Sequence, residues 1–518
     1  MCQKGPLVWT AWSILLGVVM LGQAAVRKSF NGAFAVPFVT LMVVCRLWCC
    51  SVPKRTDLDV PDHPVPGDES ETNNANGDFA NRDGLVRVGM PDTKDVESVG
   101  AERMDTTAPD DQLHNNGSGG TVTPSGSSPP RVYFLDNVKS FLTFLVVNHH
   151  CFCAFGGCGP RWMLIVGMYP NSFTPFGLTI ASLHQSFFMS LFFFISAYFV
   201  PRSYEKKGGR TFLMDKAKRL LLPLLFVTYI FSPLNYLYGF KVAGDSLRYV
   251  PVPGHTWFLE WLLILNVVYS TVAENSTRTW SNIVFPVLWK RLAWGVGICG
   301  IAMFAVVVIL SPSGGSFLAM PLAVGSLASD LLFFCAGIVA QRSRWLIRPI
   351  REQLGIRISL LWVFIVLEAT AIMAMVVFRP TESTDPGISA LAYLGYYIVA
   401  GLLCVDLSIG ILDLFQTYAD YTNSVLKFLS DAAYTVYIIH PIVVMAATHL
   451  FVKVYEWTNQ SKIQFVEDAT YSEDVLVGPD NGSLWIFGGW ISTVVLSQLI
   501  VWPLGWAIKQ LPLLRGIL

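Results

Sequence analysis

Lys139 and His150, one group for anion chemistry and one for acid–base chemistry, lie eleven residues apart in a single apolar stretch, 131–151 (RVYFLDNVKSFLTFLVVNHHC). On a helix turning about 100° per residue, that spacing puts both within roughly 20° of one face and about 16 Å apart along the axis. Asp136 and Thr143 fall near the same face, whereas His149 points about 100° away. An imidazole titrates near working pH, so His150 can take the proton of a hydroxyl or carry a group covalently. An ammonium half a bilayer away can hold an anion. Ionisable groups inside a span usually face an interior cavity and mark a functional path. The alternative is that Lys139 snorkels to the interface and the histidine pair caps the far end.

Three further stretches carry polar groups in apolar surroundings. In 184–225 a span ends at Pro201 and a loop with seven Lys/Arg follows, including Arg202, Lys206, Lys207, Arg210 and Arg219. Plain membrane topogenesis explains such charges, and so does an anion site that holds phosphates. His184 and Gln185 would open that span as a satisfied interfacial pair. In 254–269 (GHTWFLEWLLILNVVY) Glu260 follows Trp257 inside an apolar run. A buried carboxylate needs a partner or a proton, so Glu260 either orients a histidine or bonds a neighbouring helix. In 429–444 Asp431, Tyr434 and Tyr437 recur at helical spacing before His440 and Pro441. Pro441 breaks the local ladder and frees carbonyls that a bundle interior must satisfy. His440 is either a packing histidine or part of the central cavity.

The elements that must position these groups are membrane helices. The chain is 53% hydrophobic and 14% charged, with a mean hydropathy of +0.49, too apolar for an ordinary soluble domain. The expected fold is an all-α polytopic bundle of about ten core spans, near 134–151, 184–200, 220–240, 256–273, 293–311, 321–340, 358–378, 388–412, 428–451 and 484–508. Residues 1–50 add one or two hydrophobic segments: 7–26, a signal anchor or signal peptide with Gly22-Gln23-Ala24 as a cleavage candidate, and a poorer span at 33–50. Cys49 and Cys50 end the second, where juxtamembrane cysteines can be palmitoylated. Residues 51–130 are rich in Pro, Gly, Ser, Asn and acidic residues and read as a disordered cytosolic linker. The membrane domain runs from 131 to 515.

Alternate loops carry 18 Lys/Arg against 6, so the richer set is cytosolic. Lys139 then lies toward the cytosol and His150 toward the lumen or outside. Asn459 and Asn481 head glycosylation sequons in the last lumenal loop; Asn116 and Asn275 head sequons on the wrong side. Cys151, Cys153 and Cys158 fall in an oxidising compartment, where one disulfide would leave one thiol unpaired. The ten cysteines offer no CxxC pair and no Cys/His metal spacing, and no P-loop, dinucleotide fingerprint or basic aromatic nucleic-acid patch occurs. No metal, tightly bound cofactor or nucleic-acid partner is expected.

In chain order, LDNVKSFLTFLVVNHH, QSFFMSLFFFISAYFVPRSYEKKG, GHTWFLEWLLIL, LFFCAGIVAQRSRWL and YTVYIIHP together resemble the membrane acyltransferase family 3 over about residues 131–515. Members of that family transfer acyl groups, most often acetyl, to hydroxyls. The family's first-span arginine corresponds to Lys139 and its essential histidine to His150, so the charge is kept and the bidentate fork is not. The family's Ser-Gly-Tyr reads Ser196-Ala197-Tyr198. The resemblance implies acyl-CoA as donor substrate, an acceptor hydroxyl on a glycan or small metabolite, and a multi-pass protein of an endomembrane or the plasma membrane. Lys139 with Arg202, Lys206, Lys207, Arg210 and Arg219 would hold the donor phosphates. His150 would act as general base or transient acyl carrier, and Glu260 or Asp136 would orient or balance the charges. A lipid or small-molecule transporter, resembling the nose-resistant-to-fluoxetine proteins, is the main alternative. A membrane scaffold whose polar groups only lock helices is the third.

Overall fold

A computed structural model of the 518-residue chain describes residues 132–156, 164–168, 170–274, 299–310, 316–317, 320–321, 326–377, 386–468, 473–478, 483–512, 514 and 517. The two N-terminal apolar runs, the 51–130 linker, and the sequons at Asn116, Asn275 and Asn481 lie outside the described residues.

Helix α1 (Tyr133–Cys153) runs through the middle of the bundle, packed by α2 (Thr174–Tyr198), α9 (Pro386–Tyr418), α10 (Ser424–Asn459) and α11 (Ser483–Lys509). No side chain of its own caps its first turn. The connection between α9 and α10 does so instead, because Asp420 accepts from the Phe134 amide at 3.0 Å. The Asn137 amide then donates to the carbonyls of Ala419 (2.7 Å) and Tyr421 (3.0 Å). A borrowed carboxylate satisfies an orphan amide and opposes the positive end of the helix. Phe134, Leu135, Val138, Leu142, Val146 and Val147 form the buried apolar side of α1.

Between α2 and α9 come α3 (Val200–Lys207), α4 (Gly209–Ala243), α5 (Trp257–Glu274), α6 (Leu327–Arg342), α7 (Ile350–Gln353) and α8 (Ile358–Val377), with a shorter apolar helix at Cys299–Val308. Two small hairpins accompany the helices, β1 (Ser316–Phe317) with β2 (Met320–Pro321), and β3 (Gln464–Asp468) with β4 (Glu473–Val477). Among the described residues seven helices are long and apolar enough to cross a bilayer. Helix α1 is not one of them, since Asp136, Asn137, Lys139, Asn148, His149 and His150 lower its hydropathy, yet most of its residues are buried. A helix whose polar groups face the bundle needs no uniformly apolar surface.

Three prolines inside these helices, Pro223, Pro233 and Pro441, follow one rule. Each lacks the amide that would serve the carbonyl four residues back, and a ring-bearing side chain takes that carbonyl instead. Tyr434 donates its hydroxyl to the Arg219 carbonyl, four before Pro223. Tyr249 donates to the Tyr229 carbonyl at 2.8 Å, four before Pro233. His440 serves the Tyr437 carbonyl, four before Pro441, at 2.8 Å. In α4 the first two prolines sit beside π-helical turns, Ala217–Leu221 and Val227–Phe231.

Three sequence expectations are corrected. The second core span starts at Thr174, so His184 and Gln185 lie ten residues inside α2 and do not open it. The third core span, α4, starts at Gly209, so most of the basic loop is helical. Asn459 is the last residue of α10 and bonds its own Tyr455 carbonyl, so it does not lie in the loop proper. Of the cysteines expected in the oxidising compartment, Cys153 is disulfide-bonded and Cys151 is a buried free thiol.

Helices α2 and α6 cross closely at Gly337. A Cβ there would meet the Phe194 carbonyl oxygen at 2.2 Å and the Ala197 Cβ at 2.9 Å. Gly337→Ala should therefore destabilise the bundle by about 1–3 kcal/mol, the usual overpacking range. Thermal unfolding in detergent measures this, and an unchanged midpoint would contradict the crossing.

Candidate functional site

Five histidines from four elements form a continuous line of rings. His184 of α2 lies 6.1 Å from His149 of α1, centroid to centroid, and His149 lies 5.5 Å from His150. The His150 ring stacks on His440 of α10 at 4.9 Å and 22°. His440 in turn meets His255 edge-on at 4.9 Å, from the 3-10 turn Gly254–Thr256 that leads into α5. Of the other three histidines, His449 shares a hydrogen bond with Tyr238, and His63 and His114 lie outside the described residues.

Helix periodicity turns His149 toward α2 and His150 toward α10, so adjacent positions serve opposite neighbours. His149 is 7% exposed and also faces the Phe188 ring at 5.3 Å. Tyr437 donates to the His255 carbonyl at 2.6 Å, which holds the 3-10 turn against α10. Nδ1 of His149 and of His184 and Oε1 of Gln185 are buried without a hydrogen-bond partner among the described residues. The expected satisfied pair at 184–185 is therefore an unsatisfied one inside the bundle. Buried groups of this kind call for a bound water or ligand. The rings form a line and not a shell: among the described residues no group of three or more His, Cys, Asp or Glu side chains could hold a metal.

Helix α1 is unbroken from Lys139 to His150, so the two groups are about 16 Å apart along its axis. Lys139 donates to Asp136 at 3.1 Å and lies 4.5 Å over the Phe199 ring, at the junction of α2 and α3. Lys216, held 5.4 Å over Phe212, is within electrostatic reach of Lys139, Lys207, Arg219 and Asp215. Lys207 is ion-paired with Asp215, whereas Arg202, Lys206, Arg210 and Arg219 are exposed on the same segment. The structure thus gathers Lys139, Lys207 and Arg219 around Lys216, a residue that the sequence marks only as one of seven loop charges.

The remaining expected residues divide. Tyr437 and His440 join the histidine line. Tyr198 sits beside Phe199, its ring at 5.4 Å, within electrostatic reach of Arg202. Trp257 packs on Phe193 at 6.4 Å, and Ser196 is half-buried in α2. Glu260 is buried at 4% exposure in the first turn of α5, close in sequence to His255. Asp431 pairs with Lys509 at 3.0 Å, away from the line.

Two further sets of buried polar groups were not foreseen. Ser190 of α2 donates to Asp330 of α6 at 2.7 Å, and Asp330 is fully enclosed. Glu368 of α8 and Asp406 of α9 face each other across two of the most apolar helices. The signal for them was a carboxylate inside an apolar run, the same one that drew attention to Glu260.

The geometry can be set beside known proteins. The acyltransferase-domain model of the acyltransferase 3 family matches residues 132–502, roughly three quarters of the chain. No curated protein and no solved structure is significantly similar to it. The match begins at the start of α1, includes all five histidines and the cationic segment, and ends in α11. With its apolar helices and a matched span of this length, the chain is an integral membrane protein that belongs to the acyltransferase 3 family.

Proposed function

We propose that the protein is a membrane O-acyltransferase that moves an acyl group, acetyl in the first instance, from cytosolic acyl-CoA to a hydroxyl of a carbohydrate or small metabolite. The observation that carries this reading is the arrangement along α1. A cation cluster around Lys139 and Lys216 lies at one end, and a stacked imidazole pair, His150 on His440, lies at the other. Phosphates of a donor suit the first, and a carbonyl with an attacking hydroxyl suits the second.

The charge asymmetry of the loops supports a cytosolic cation cluster, where acyl-CoA is available. Lys139 and Lys216, with the exposed Arg202, Lys206, Arg210 and Arg219, hold the phosphates while the thioester reaches along the polar side of α1. His150 acts at the acyl carbonyl, as general base or as transient carrier. Asp136 orients the Lys139 ammonium, and Glu260 at the start of α5 balances charge near the imidazoles.

The direct test is transfer of labelled acetyl from acetyl-CoA in membranes that contain the protein, against membranes that lack it. Protein-dependent label in a lipid, glycan or soluble fraction establishes the activity and reveals the acceptor. If neither acetyl-CoA nor longer acyl-CoAs give such label, the acyltransferase reading fails and passage through the polar interior becomes the better account.

A further inference from the structure

The break made by Pro441 does more than bend α10. It leaves the Tyr437 carbonyl without its helical partner, and His440 fills the gap with Nδ1 at 2.8 Å. The next carbonyl, that of Ile438, accepts from Nε2 of His255 at 3.0 Å. A carbonyl oxygen can only accept, so each ring nitrogen involved carries its proton. The tautomer of His440 is thereby fixed as Nδ1–H, and Nε2 keeps the lone pair. His440 is fully buried, and its Nε2 has no hydrogen-bond partner among the described residues. The ring is bounded by His150, His255 and Tyr437. A packing histidine would be expected to satisfy both nitrogens; this one is tethered through one and leaves the other open.

We propose that His440 is the proton acceptor of the acyl transfer, which leaves His150 to act at the acyl carbonyl. The proposal rests on the acyltransferase reading. In the step, the acceptor oxygen bonds the acyl carbon, its hydroxyl proton passes to Nε2 of His440, and the carbon–sulfur bond breaks. The departing thiolate takes a proton from water and His440 returns its own to water, so the cycle neither consumes nor releases protons. The backbone break supplies the orientation that a carboxylate supplies to the histidine of a hydrolytic triad.

The test is His440→Asn, whose side-chain amide can still donate to the Tyr437 carbonyl but has nothing at the Nε2 position. Wild type and variant are compared for labelled acetyl transfer from acetyl-CoA at equal protein level, from pH 5.5 to 9. Expected are normal accumulation, an acetyl-CoA KM within about twofold of wild type, and transfer slower by about 100-fold or more. The variant's rate should also climb with pH without the wild-type plateau, as hydroxide replaces the missing base. A wild-type rate and pH profile in His440→Asn would reduce His440 to a tether and overturn the proposal, while inactivity of His150→Ala in the same assay would leave the acyltransferase reading intact. Should His440→Asn not accumulate, His440→Gln, which places an amide at the level of Nε2, is measured in the same way. Absence of transfer by the wild type from any acyl-CoA would overturn the reading and the proposal together.

Discussion

His150→Ala is expected to reduce acyl transfer by at least about 10²-fold while the protein still folds. Losing a group that stabilises charge at the reacting carbonyl costs about 10²- to 10³-fold, and losing a covalent carrier removes the route altogether. The fold should survive because the hydrogen bonds that organise this end of the bundle belong to neighbours. His440 bonds the Tyr437 carbonyl, Tyr437 bonds the His255 carbonyl, and His255 bonds the Ile438 carbonyl, all without His150. Among the contacts the variant loses is the ring stack on His440 at 4.9 Å, a kind of contact that contributes about 0.5–1.5 kcal/mol. His149→Ala provides the contrast, since His149 faces His184 and Phe188 on the other side of α1 and should lower transfer far less. Label transfer per unit of protein, together with the unfolding midpoint in detergent, separates the two effects. Full activity in His150→Ala would remove the histidine line from the mechanism.

The parts of this site that were legible in the sequence are those governed by a single helix. The Lys139–His150 spacing fixes a face and a depth whatever surrounds the helix, and α1 is unbroken across it. The consequence of Pro441 was legible for the same reason, since the orphaned carbonyl is a local necessity. Which side chain would answer it was not, because His255 lies 183 positions from Ile438 and only the bundle brings them together. The place of His184 within its helix is not legible, because the segment from Thr174 carries Gly177 and several polar residues, which mask a helix whose first turn is capped by the Asn171 side chain. The number of spans depended on uniform apolarity, and α1 shows how that criterion misleads, since an enclosed helix can carry the functional polar groups.

The second large effect is expected at the other end of α1. Removing both ammonium groups, Lys139→Ala with Lys216→Ala, should raise the KM for acyl-CoA on the order of 10³-fold and change kcat at saturating donor only modestly. Each charge-assisted bond to a phosphate contributes about 1.5–3 kcal/mol, so a single variant should lose about 10- to 100-fold and the pair more, without strict additivity. Two lysines within electrostatic reach repel each other, and although Asp136 and Asp215 offset part of this, an anion between the two ammonium groups relieves both. Lys139→Arg should bind donor at least as well as wild type, since it keeps the charge and adds a fork that can engage phosphate through two bonds. Added salt should raise the wild-type KM and leave that of the double variant nearly unchanged, the signature of an interaction lost with the charges. A double variant with wild-type KM would move donor binding away from this cluster, whereas loss of kcat with unchanged KM would place the lysines in the chemical step.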